Sequence, residues 1–464
     1  MQAMPLWKAG LWLLAALLVA GIIFGALRLY RIIVLGPGFL AHFICSGTFV
    51  SGRDPHAVVA EDLSKYGPVS LFQWHVDRQN KVVTASLFGL GRRTGVFRDG
   101  LGCTLDIGTT EAELRAQVSG AVSGPASTNR NALWPEGERV EPDALPGGVD
   151  AKKLKAAIAS VFAEPDPKRA RKTRALVVVR GGRIVAERYA PGFDAEMPLL
   201  GWSMAKSALN ALVGIMVQDG TLKVDDKALL PQWQGDARRE ITLAQLLRMT
   251  SGLGFDKDNN ERMLFTIGDI GEFAASKPLA DPPGSAWNYS QGPSNIIALV
   301  LRKHFSSEKD YLRFPRERLF EPLGMRSAVL EPDSAGTFIG STFMYASARD
   351  WARLGLLFLR DGIWQGRRLL PEGWVQYTTT PTQLSPGGRY GAHFWLRLPD
   401  SANLGVPPMP TDAYYMLGYD QQIVAIIPSH DLVIVRLGLT RKAKAFDHAR
   451  ELAPIVEAFP PRAQ

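Results

Sequence analysis

The residues Ser203-Met204-Ala205-Lys206 are the pattern in this chain with the clearest capacity for chemistry. On a helix, positions i and i+3 share one face, so the Lys206 amine is expected within reach of the Ser203 hydroxyl. A serine becomes a nucleophile when a neighbouring base takes its proton, and a desolvated lysine can do this. Ser203 also opens an apolar run ending at Gly220, which predicts a buried helix with a free N–H for an oxyanion. A second Ser-x-x-Lys, at 306–309, is wholly polar and predicts a solvated turn.

A loop with the sequence Tyr289-Ser290-Gln291 follows the tetrad and leads into another helical stretch. Together with the segment LLRMTSG at 246–252 and a C-terminal hairpin, it resembles the serine hydrolases related to class C β-lactamases and penicillin-binding proteins. The resemblance is closest to the esterase and 6-aminohexanoate-dimer hydrolase branch and covers about residues 150–460. It implies an α/β (α+β) fold, in which an antiparallel sheet is flanked by helices and joined to a helical region.

The resemblance also implies roles for single residues. Ser203 would be the acylated nucleophile, Lys206 the residue that lowers its pKa, and Tyr289 the general base. A phenol with a pKa near ~10 is a poor base at neutral pH unless an adjacent ammonium lowers that value, and Lys206 could be this ammonium. Gln291 stands where the family often has Asn, so an amide is kept on a longer arm.

The third motif of the penicillin-recognising members, Lys-Thr-Gly, is absent from its expected place. The matching strand start reads Gly418-Tyr419-Asp420-Gln421-Gln422, and the Gln422 N–H would be the second oxyanion donor. Tyr419 takes the position of a lysine that binds a substrate carboxylate, and Asp420 would repel an anion. We therefore expect a small uncharged ester or amide as substrate and no cofactor, although a cation such as Arg389 could replace the lysine.

Two other functions compete with this interpretation. An α/β-hydrolase would use Ser203 in a near Gly-x-Ser-x-Gly elbow, with His430 and Asp431 completing a triad. A non-catalytic binding protein could keep the penicillin-recognising fold without turnover. Metal-dependent hydrolysis finds no support, because the seven histidines show neither His-x-His nor His-Glu-x-x-His spacing.

The elements that must position these residues follow from apolar periodicity and turn residues. We predict helices at 151–162, 203–220, 293–303, 349–360 and 447–458, and a short helix through Leu246 and Leu247 with a capping box of Thr242 and Gln245. Hairpins are predicted at 175–186 around Gly181-Gly182 and at 423–437 around Pro428–Asp431. Strands at both ends with helices between them predict one mixed sheet plus a helical region.

The N-terminal stretch Ala9–Leu27 has no charge, and as a helix of 19 residues it would span about 28 Å, close to a hydrocarbon core of about 30 Å. We predict an uncleaved membrane anchor that contacts lipid. A cleaved signal peptide is the alternative, but Phe24-Gly25-Ala26 is a poor cleavage site. Flanking charges are nearly balanced, so they do not set the orientation.

The chain has two cysteines, Cys45 and Cys103, both between the anchor and the main domain. An even number in an exported domain predicts a disulfide, and with it a catalytic domain outside the cytoplasmic membrane, in the periplasm or another extracytoplasmic space. The alternative is two buried reduced thiols.

Composition sets the outer bounds: 464 residues, 46% apolar, 21% charged, with a net charge of +8. These values exclude wholesale disorder and fibrous classes. No basic run carries interleaved aromatics, so no nucleic-acid partner is predicted. We divide the chain into an anchor (1–36), a small β-rich extension (37–118), a linker (119–149) and the hydrolase domain (150–464).

Overall fold

The structure is a computed structural model, and it describes residues 6–64, 66–67, 69–117, 130–141, 145–398, 409–442 and 445–462. Within these ranges the α-helices are α1 (Leu6–Cys45), α2 (Pro55–Ala57), α3 (Glu111–Ala116), α4 (Ala151–Phe162), α5 (Ala205–Gln218), α6 (Leu243–Leu247), α7 (Lys257–Thr266), α8 (Ile270–Ala275), α9 (Gly292–Lys303), α10 (Glu308–Pro315), α11 (Glu321–Leu323), α12 (Ala348–Leu359), α13 (Trp374–Thr379) and α14 (His448–Val456). The strands are β1 (Phe72–Asp77), β2 (Val82–Leu87), β3 (Leu90–Arg98), β4 (Gly102–Leu105), β5 (Thr173–Arg180), β6 (Arg183–Tyr189), β7 (Leu199–Leu200), β8 (Val329–Leu330), β9 (Met344–Ala346), β10 (Ile363–Trp364), β11 (Arg367–Arg368), β12 (Tyr414–Gly418), β13 (Gln422–Ile427) and β14 (Leu432–Gly438).

The main sheet has five antiparallel strands in the order β12-β13-β14-β5-β6. Both predicted hairpins are part of it, and the first turns at Gly181 and Gly182 with φ angles of 60° and 75°. Three strands from the C-terminal part thus share a sheet with two that precede Ser203, through the pairing of β14 with β5, and this closes the domain around the segment between them. The antiparallel sheet with a helical region, which the family resemblance implied, is confirmed, whereas the expectation of a mixed sheet is wrong, because all four strand pairs are antiparallel.

The sheet is covered on both faces, because successive side chains of a strand point to opposite sides. Val177 and Val179 of β5 join the core that contains α5 and α12, whereas Leu176 and Val178 join the core that contains α4 and α14. Strands buried on both faces read as continuous apolar runs, and β13 and β14 show this pattern.

The helical region holds α5 at its centre. Twelve residues of α5, Ala205 to Met216, are buried, which confirms the buried helix predicted after Ser203. A 3-10 turn, Trp202–Met204, precedes it, so the α-helix itself begins two residues later than predicted. The predicted capping box of α6 is also present: Thr242 accepts from the Gln245 N–H, and Gln245 accepts from the Thr242 N–H.

Helix α1 extends much further than the predicted anchor. Its first part carries exposed apolar side chains, and it is the one helix in the described chain whose length and composition would let it cross a membrane. Its last turns, from Pro37 to Cys45, are largely buried in the protein. The predicted division at residue 36/37 therefore falls inside a continuous helix. Gly36 and Gly38 permit this packing, since a Cβ on either would meet the Phe72 ring or the Phe265 carbonyl.

The small sheet β1-β2-β3-β4 lies within the range predicted as β-rich, and it packs on α1. Cys45 at the end of α1 and Cys103 in β4 form a disulfide, with 6.1 Å between their Cα atoms. Buried Glu331 of the main domain accepts from the Ser46 hydroxyl at 2.8 Å and from the Cys103 N–H at 2.7 Å. Its other oxygen lies 3.0 Å from His42 Nε2, so a single carboxylate joins α1, β4 and the main domain.

Replacing both cysteines with alanine is expected to lower the free energy of unfolding by roughly 2–5 kcal/mol, because the disulfide closes a loop with a sequence separation of 58 residues. Urea unfolding in detergent, followed by tryptophan fluorescence, measures this loss. The unmodified protein under reducing conditions is the matched comparison. An unchanged urea midpoint for both would show that the disulfide does not stabilise the fold.

The predicted linker, 119–149, lies partly outside the described residues. Its described residues are 130–141 and 145–149, and the first of these stretches packs on the main domain, with Trp134 buried. Buried Arg353 of α12 donates to the Pro135 carbonyl at 3.0 Å and to the Gly137 carbonyl at 2.6 Å. This stretch is therefore an ordered part of the domain surface.

Candidate active site

The turn that carries Ser203 is packed tightly at two glycines, Gly201 and Gly418. A Cβ on Gly201 would collide with the Trp351 ring, and a Cβ on Gly418 would collide with the Gly201 carbonyl. Trp202 adopts a φ of 52° immediately before the serine. Behind it, the ring centroid of Phe43 of α1 lies 5.4 Å from that of Trp202. Ser203 is thus fixed at the junction of α5, the end of β12 and helix α1.

Lys206 points at Ser203 as the tetrad predicts. Its Nζ lies 3.2 Å from Ser203 Oγ, 2.7 Å from Gln291 Oε1 and 2.8 Å from the Ser341 carbonyl oxygen. The side chain is 1% exposed. Gln291, at the N-terminus of α9, thereby brings the second motif to the first. Its amide reaches the lysine despite the longer arm.

Burial lowers the pKa of Lys206 to about 7, since an ammonium loses its hydration inside the protein. Three oxygen acceptors surround the nitrogen, and none of them is a carboxylate. The neutral amine is therefore well populated near neutral pH, which is the state that can accept a proton.

Tyr289 lies beside Ser203 and Lys206. Its ring centroid is 5.3 Å from Lys206 Nζ, and the side chains of Ser203 and Trp395 favour the charged form of its phenol. Burial raises its pKa, and this effect outweighs the opposing influence of the Ser203 and Trp395 side chains. The expected lowering of the Tyr289 pKa by Lys206 is therefore not the direction found, and the phenol is neutral at physiological pH.

An aromatic cluster surrounds Tyr289 and consists of Trp287, Tyr289, Tyr390 and Trp395. The Tyr289 ring centroid lies 5.6 Å from that of Tyr390 and 5.2 Å from that of Trp395. Trp287 lies 5.8 Å from Tyr390. These rings form an apolar, aromatic wall on the side of the site next to Ser203 and Lys206.

The third predicted segment, Gly418–Gln422, forms the turn between β12 and β13 beside the Ser203 turn. Gln422 begins β13 on that edge, which is where a second oxyanion donor is expected. Its side chain serves the fold: Nε2 donates to the Gly438 carbonyl at 2.6 Å, and Oε1 accepts from the Gly438 N–H at 2.8 Å. Gln421 adopts a φ of 62°, so it takes the left-handed conformation that a glycine would adopt more cheaply.

Tyr419 lies on the rim, with its ring 5.3 Å from that of Trp202 and more than half of its surface exposed. The expectation that Asp420 faces the cleft and repels an anion is wrong. Its side chain is buried and lies 3.2 Å from Arg441 Nη1, because the left-handed φ of 61° turns it inward. Burial raises the pKa of Asp420 to about 7.

Several residues that build the site were not singled out from the sequence. The contact of Ser341 with Lys206 is made by the backbone carbonyl, so the residue type at position 341 gives no indication of it. His393 joins two of the site's helices: its Nδ1 lies 2.9 Å from the Lys206 carbonyl oxygen, and its Nε2 lies 3.1 Å from Ser294 Oγ of α9. Burial lowers the pKa of His393 to about 3, so it is a neutral structural bridge. The aromatic run at 390–395 was the available indication.

The alternative triad is not assembled. His430 and Asp431 lie in the turn after β13, whereas the Ser203 turn meets β12 and β13 at the Gly418–Gln422 end. The length of β13, about 3.3 Å per residue, separates the two ends. The α/β-hydrolase interpretation is therefore wrong. In the described part of the chain, no three His, Cys, Asp or Glu side chains are grouped to hold a metal.

The sequence and the fold were compared with those of known proteins. Residues 157–456 match the family model described as Beta-lactamase. A curated relative, 6-aminohexanoate-dimer hydrolase of Paenarthrobacter ureafaciens, is 22% identical over 295 residues, which cover 57% of this chain and 72% of the relative.

Two solved structures share the fold. A candidate β-lactamase from Bacteroides dorei superposes with a TM-score of 0.52 and 18% identity, over 67% of this chain and 98% of the other. A penicillin-binding protein homologue from Caulobacter crescentus superposes with a TM-score of 0.51 and 18% identity, over 67% of this chain and 99% of the other.

Proposed function

The chain belongs to the Beta-lactamase family of serine hydrolases, and from this premise we propose that it hydrolyses a small uncharged ester or amide through an acyl-enzyme on Ser203. The observation that carries the proposal is the position of Lys206. Its buried nitrogen lies 3.2 Å from Ser203 Oγ and has a pKa of about 7.

In the proposed acylation, neutral Lys206 is the proton acceptor. A neutral amine has two N–H donors and one lone pair. Gln291 Oε1 and the Ser341 carbonyl occupy the two donors at 2.7 and 2.8 Å, so the lone pair is directed at Ser203 Oγ. As Oγ attacks the substrate carbonyl carbon, its proton passes to Lys206 and an Oγ–carbon bond forms.

Tyr289 then serves as the proton donor. Its pKa is raised, so the phenol keeps its proton, and its ring lies beside the reacting groups, with the centroid 5.3 Å from Lys206 Nζ. When the tetrahedral intermediate collapses, the bond to the leaving alkoxide or amine breaks and Tyr289 protonates it, while Lys206 returns a proton to Tyr289. Water then cleaves the acyl-enzyme by the reverse proton path. This division of roles differs from the sequence expectation, in which Tyr289 was the base.

The oxyanion is proposed to bind the N–H groups of Ser203 and Gln422. In the described residues, no backbone acceptor is found for the Ser203 N–H, which stands at the start of the 3-10 turn. Gly418 lets β12 approach Gly201 closely and thereby brings the start of β13 beside that turn. Two donors on opposite sides of a carbonyl oxygen stabilise the charge that develops on it.

Replacing Gln291 with leucine is expected to lower kcat/KM roughly 10–100-fold, because a hydrogen bond from a charged group is worth about 1.5–3 kcal/mol. The loss of an acceptor also disfavours the Lys206 ammonium, so the acidic limb of the pH profile should move to lower pH. Gln291→Asn, which keeps an amide, is the matched control and should be impaired less. Equal activity of the leucine variant and the unmodified enzyme would refute this role for Gln291.

The substrate class follows from the charges at the rim. Tyr419 offers one neutral hydroxyl, and Arg441, 5.9 Å from the Tyr419 ring centroid, is engaged with Asp420 and with the Asp62 carbonyl at 2.7 Å. Arg389 donates to Pro386 of its own loop at 2.8 Å. Arg441 is therefore occupied by acceptors within the protein, and the aromatic cluster favours an apolar acyl group. The curated relative is named for hydrolysis of a dimer of 6-aminohexanoate.

We expect short-chain p-nitrophenyl esters to be hydrolysed and penicillins and cephalosporins to be hydrolysed little or not at all. Steady-state kinetics with p-nitrophenyl butyrate and nitrocefin measures this preference as a ratio of kcat/KM values. A larger kcat/KM for nitrocefin would contradict the substrate class while leaving the catalytic assignment intact.

We also propose that α1 anchors the protein in the membrane and that the catalytic domain lies on the outer face. The exposed apolar length of α1 and the Cys45–Cys103 disulfide support this arrangement. A C-terminal alkaline phosphatase fusion should be active, because that enzyme needs disulfides of its own. An inactive fusion would refute the orientation.

A further inference from the structure

The small sheet ends beside the point where α1 leaves the protein, and its exposed end carries apolar side chains. Phe88 and Leu90, at the turn between β2 and β3, are 66% and 57% exposed, and Leu71, just before β1, is 45% exposed. We call these three side chains the apolar tip. Apolar side chains gathered at one end of a small sheet mark an interaction surface.

The orientation of the apolar tip relative to α1 is fixed by two glycines of β3. A Cβ on Gly91 would collide with the Ile33 carbonyl, and a Cβ on Gly95 would lie 2.8 Å from the Ala41 carbonyl. Strand β3 therefore runs alongside α1 in the same direction. The residues before Gly91, including Leu90 and Phe88, must then extend toward the N-terminal, lipid-exposed part of α1.

The level of the membrane can be placed on α1 from its aromatic residues. Trp12 and Tyr30 are both exposed, and at about 1.5 Å per residue they lie about 27 Å apart. This separation approaches the thickness of the hydrocarbon core, and Trp and Tyr are enriched at its two boundaries. Ile33 is then about 4.5 Å outside the Tyr30 boundary, and the apolar tip, which starts at Ile33, reaches back toward that boundary.

The charges around the apolar tip fit an anionic lipid surface. Arg28 and Arg31 of α1 and Arg92 and Arg93 of β3 flank it, and no acidic residue occurs in 28–36 or 88–98. Arginines close to a negatively charged membrane are attracted to its headgroups.

We propose that the apolar tip inserts into the lipid interface beside α1, with the flanking arginines among anionic headgroups. This contact rests on the proposed anchoring by α1. It makes the small sheet a second membrane contact, which fixes the height and tilt of the domain. Through Phe43 and Trp202 the same helix then holds the Ser203 turn at a defined distance from the bilayer.

Spin labelling of the full chain tests the proposal. The native cysteines are joined in a disulfide, so a nitroxide can be placed on Phe88→Cys, on Gln79→Cys in the turn at the opposite end of the same sheet, and on Ile22→Cys near the middle of α1. The proteins are reconstituted in nanodiscs of phosphatidylcholine and phosphatidylglycerol. Collision rates with oxygen and with a water-soluble nickel chelate then report the depth of each label.

We expect the nickel collision rate of the label at Phe88 to be several-fold lower than that of the label at Gln79. It should be close to the rate of the label at Ile22. Equal nickel collision rates at Phe88 and Gln79, with Ile22 protected, would overturn the insertion of the tip and leave the anchor intact. An Ile22 label as accessible to nickel as Gln79 would overturn the anchoring, and the lipid contact of the tip with it.

Discussion

Ser203→Ala is expected to lower kcat for p-nitrophenyl butyrate on the order of 10⁶-fold, which is the loss typical of an acyl-transfer enzyme without its serine nucleophile. Alanine removes only Oγ, so Lys206 keeps Gln291 and Ser341 as acceptors and the fold is preserved. Steady-state hydrolysis measures the loss, and circular dichroism checks the fold.

The chain contains its own matched control for this substitution. Ser306 and Lys309 repeat the Ser-x-x-Lys spacing, but both side chains are exposed. Ser306→Ala should therefore leave kcat unchanged. A Ser203→Ala variant with more than a small fraction of the original activity would show that the ester is cleaved by another group.

Lys206→Met is expected to lower kcat/KM by about 10²–10⁴-fold, because the proton of Ser203 loses its acceptor. Methionine fills a similar buried volume without a charge. In the unmodified enzyme, the neutral amine is populated above the Lys206 pKa of about 7. Activity should therefore rise about tenfold per pH unit below pH 7 and level off above it, and the variant should lack this limb.

The pH dependence of kcat/KM measured between pH 5 and 9 checks this assignment, and Lys309→Met is the control for loss of a lysine at the same spacing. Activity that rises only above pH 9 would instead indicate a base with an unshifted amine or phenol pKa. Loss of the limb in Tyr289→Phe but not in Lys206→Met would return the role of base to Tyr289.

The sequence was sufficient where a local pattern decides the structure. The i, i+3 spacing of Ser203 and Lys206, the apolar run of α5 and the capping box of α6 all depend on neighbours along the chain. The extent of α1 was not predictable in this way, because its last turns are helical through contacts with residues as distant as Phe72 and Phe265. Tertiary packing thus overrides the Gly-Pro-Gly sequence at 36–38.

The electrostatics of the site depended on burial that the sequence does not show. The pKa of Tyr289 was expected to be lowered by Lys206, but desolvation of the phenol dominates and raises it. Asp420 was expected in the cleft, but its left-handed φ turns it toward Arg441. The Ser341 carbonyl, which completes the set of Lys206 acceptors, belongs to a residue whose side chain has no part in the contact.

Covalent labelling tests the central claim most directly. The purified full-length protein is treated with a fluorophosphonate, its intact mass is measured, and the modified peptide is sequenced. We predict one adduct per chain, located on Ser203, that is absent from Ser203→Ala and retained in Ser306→Ala. No adduct on a correctly folded protein would favour a non-catalytic binding protein, and an adduct on any other residue would contradict Ser203 as the nucleophile.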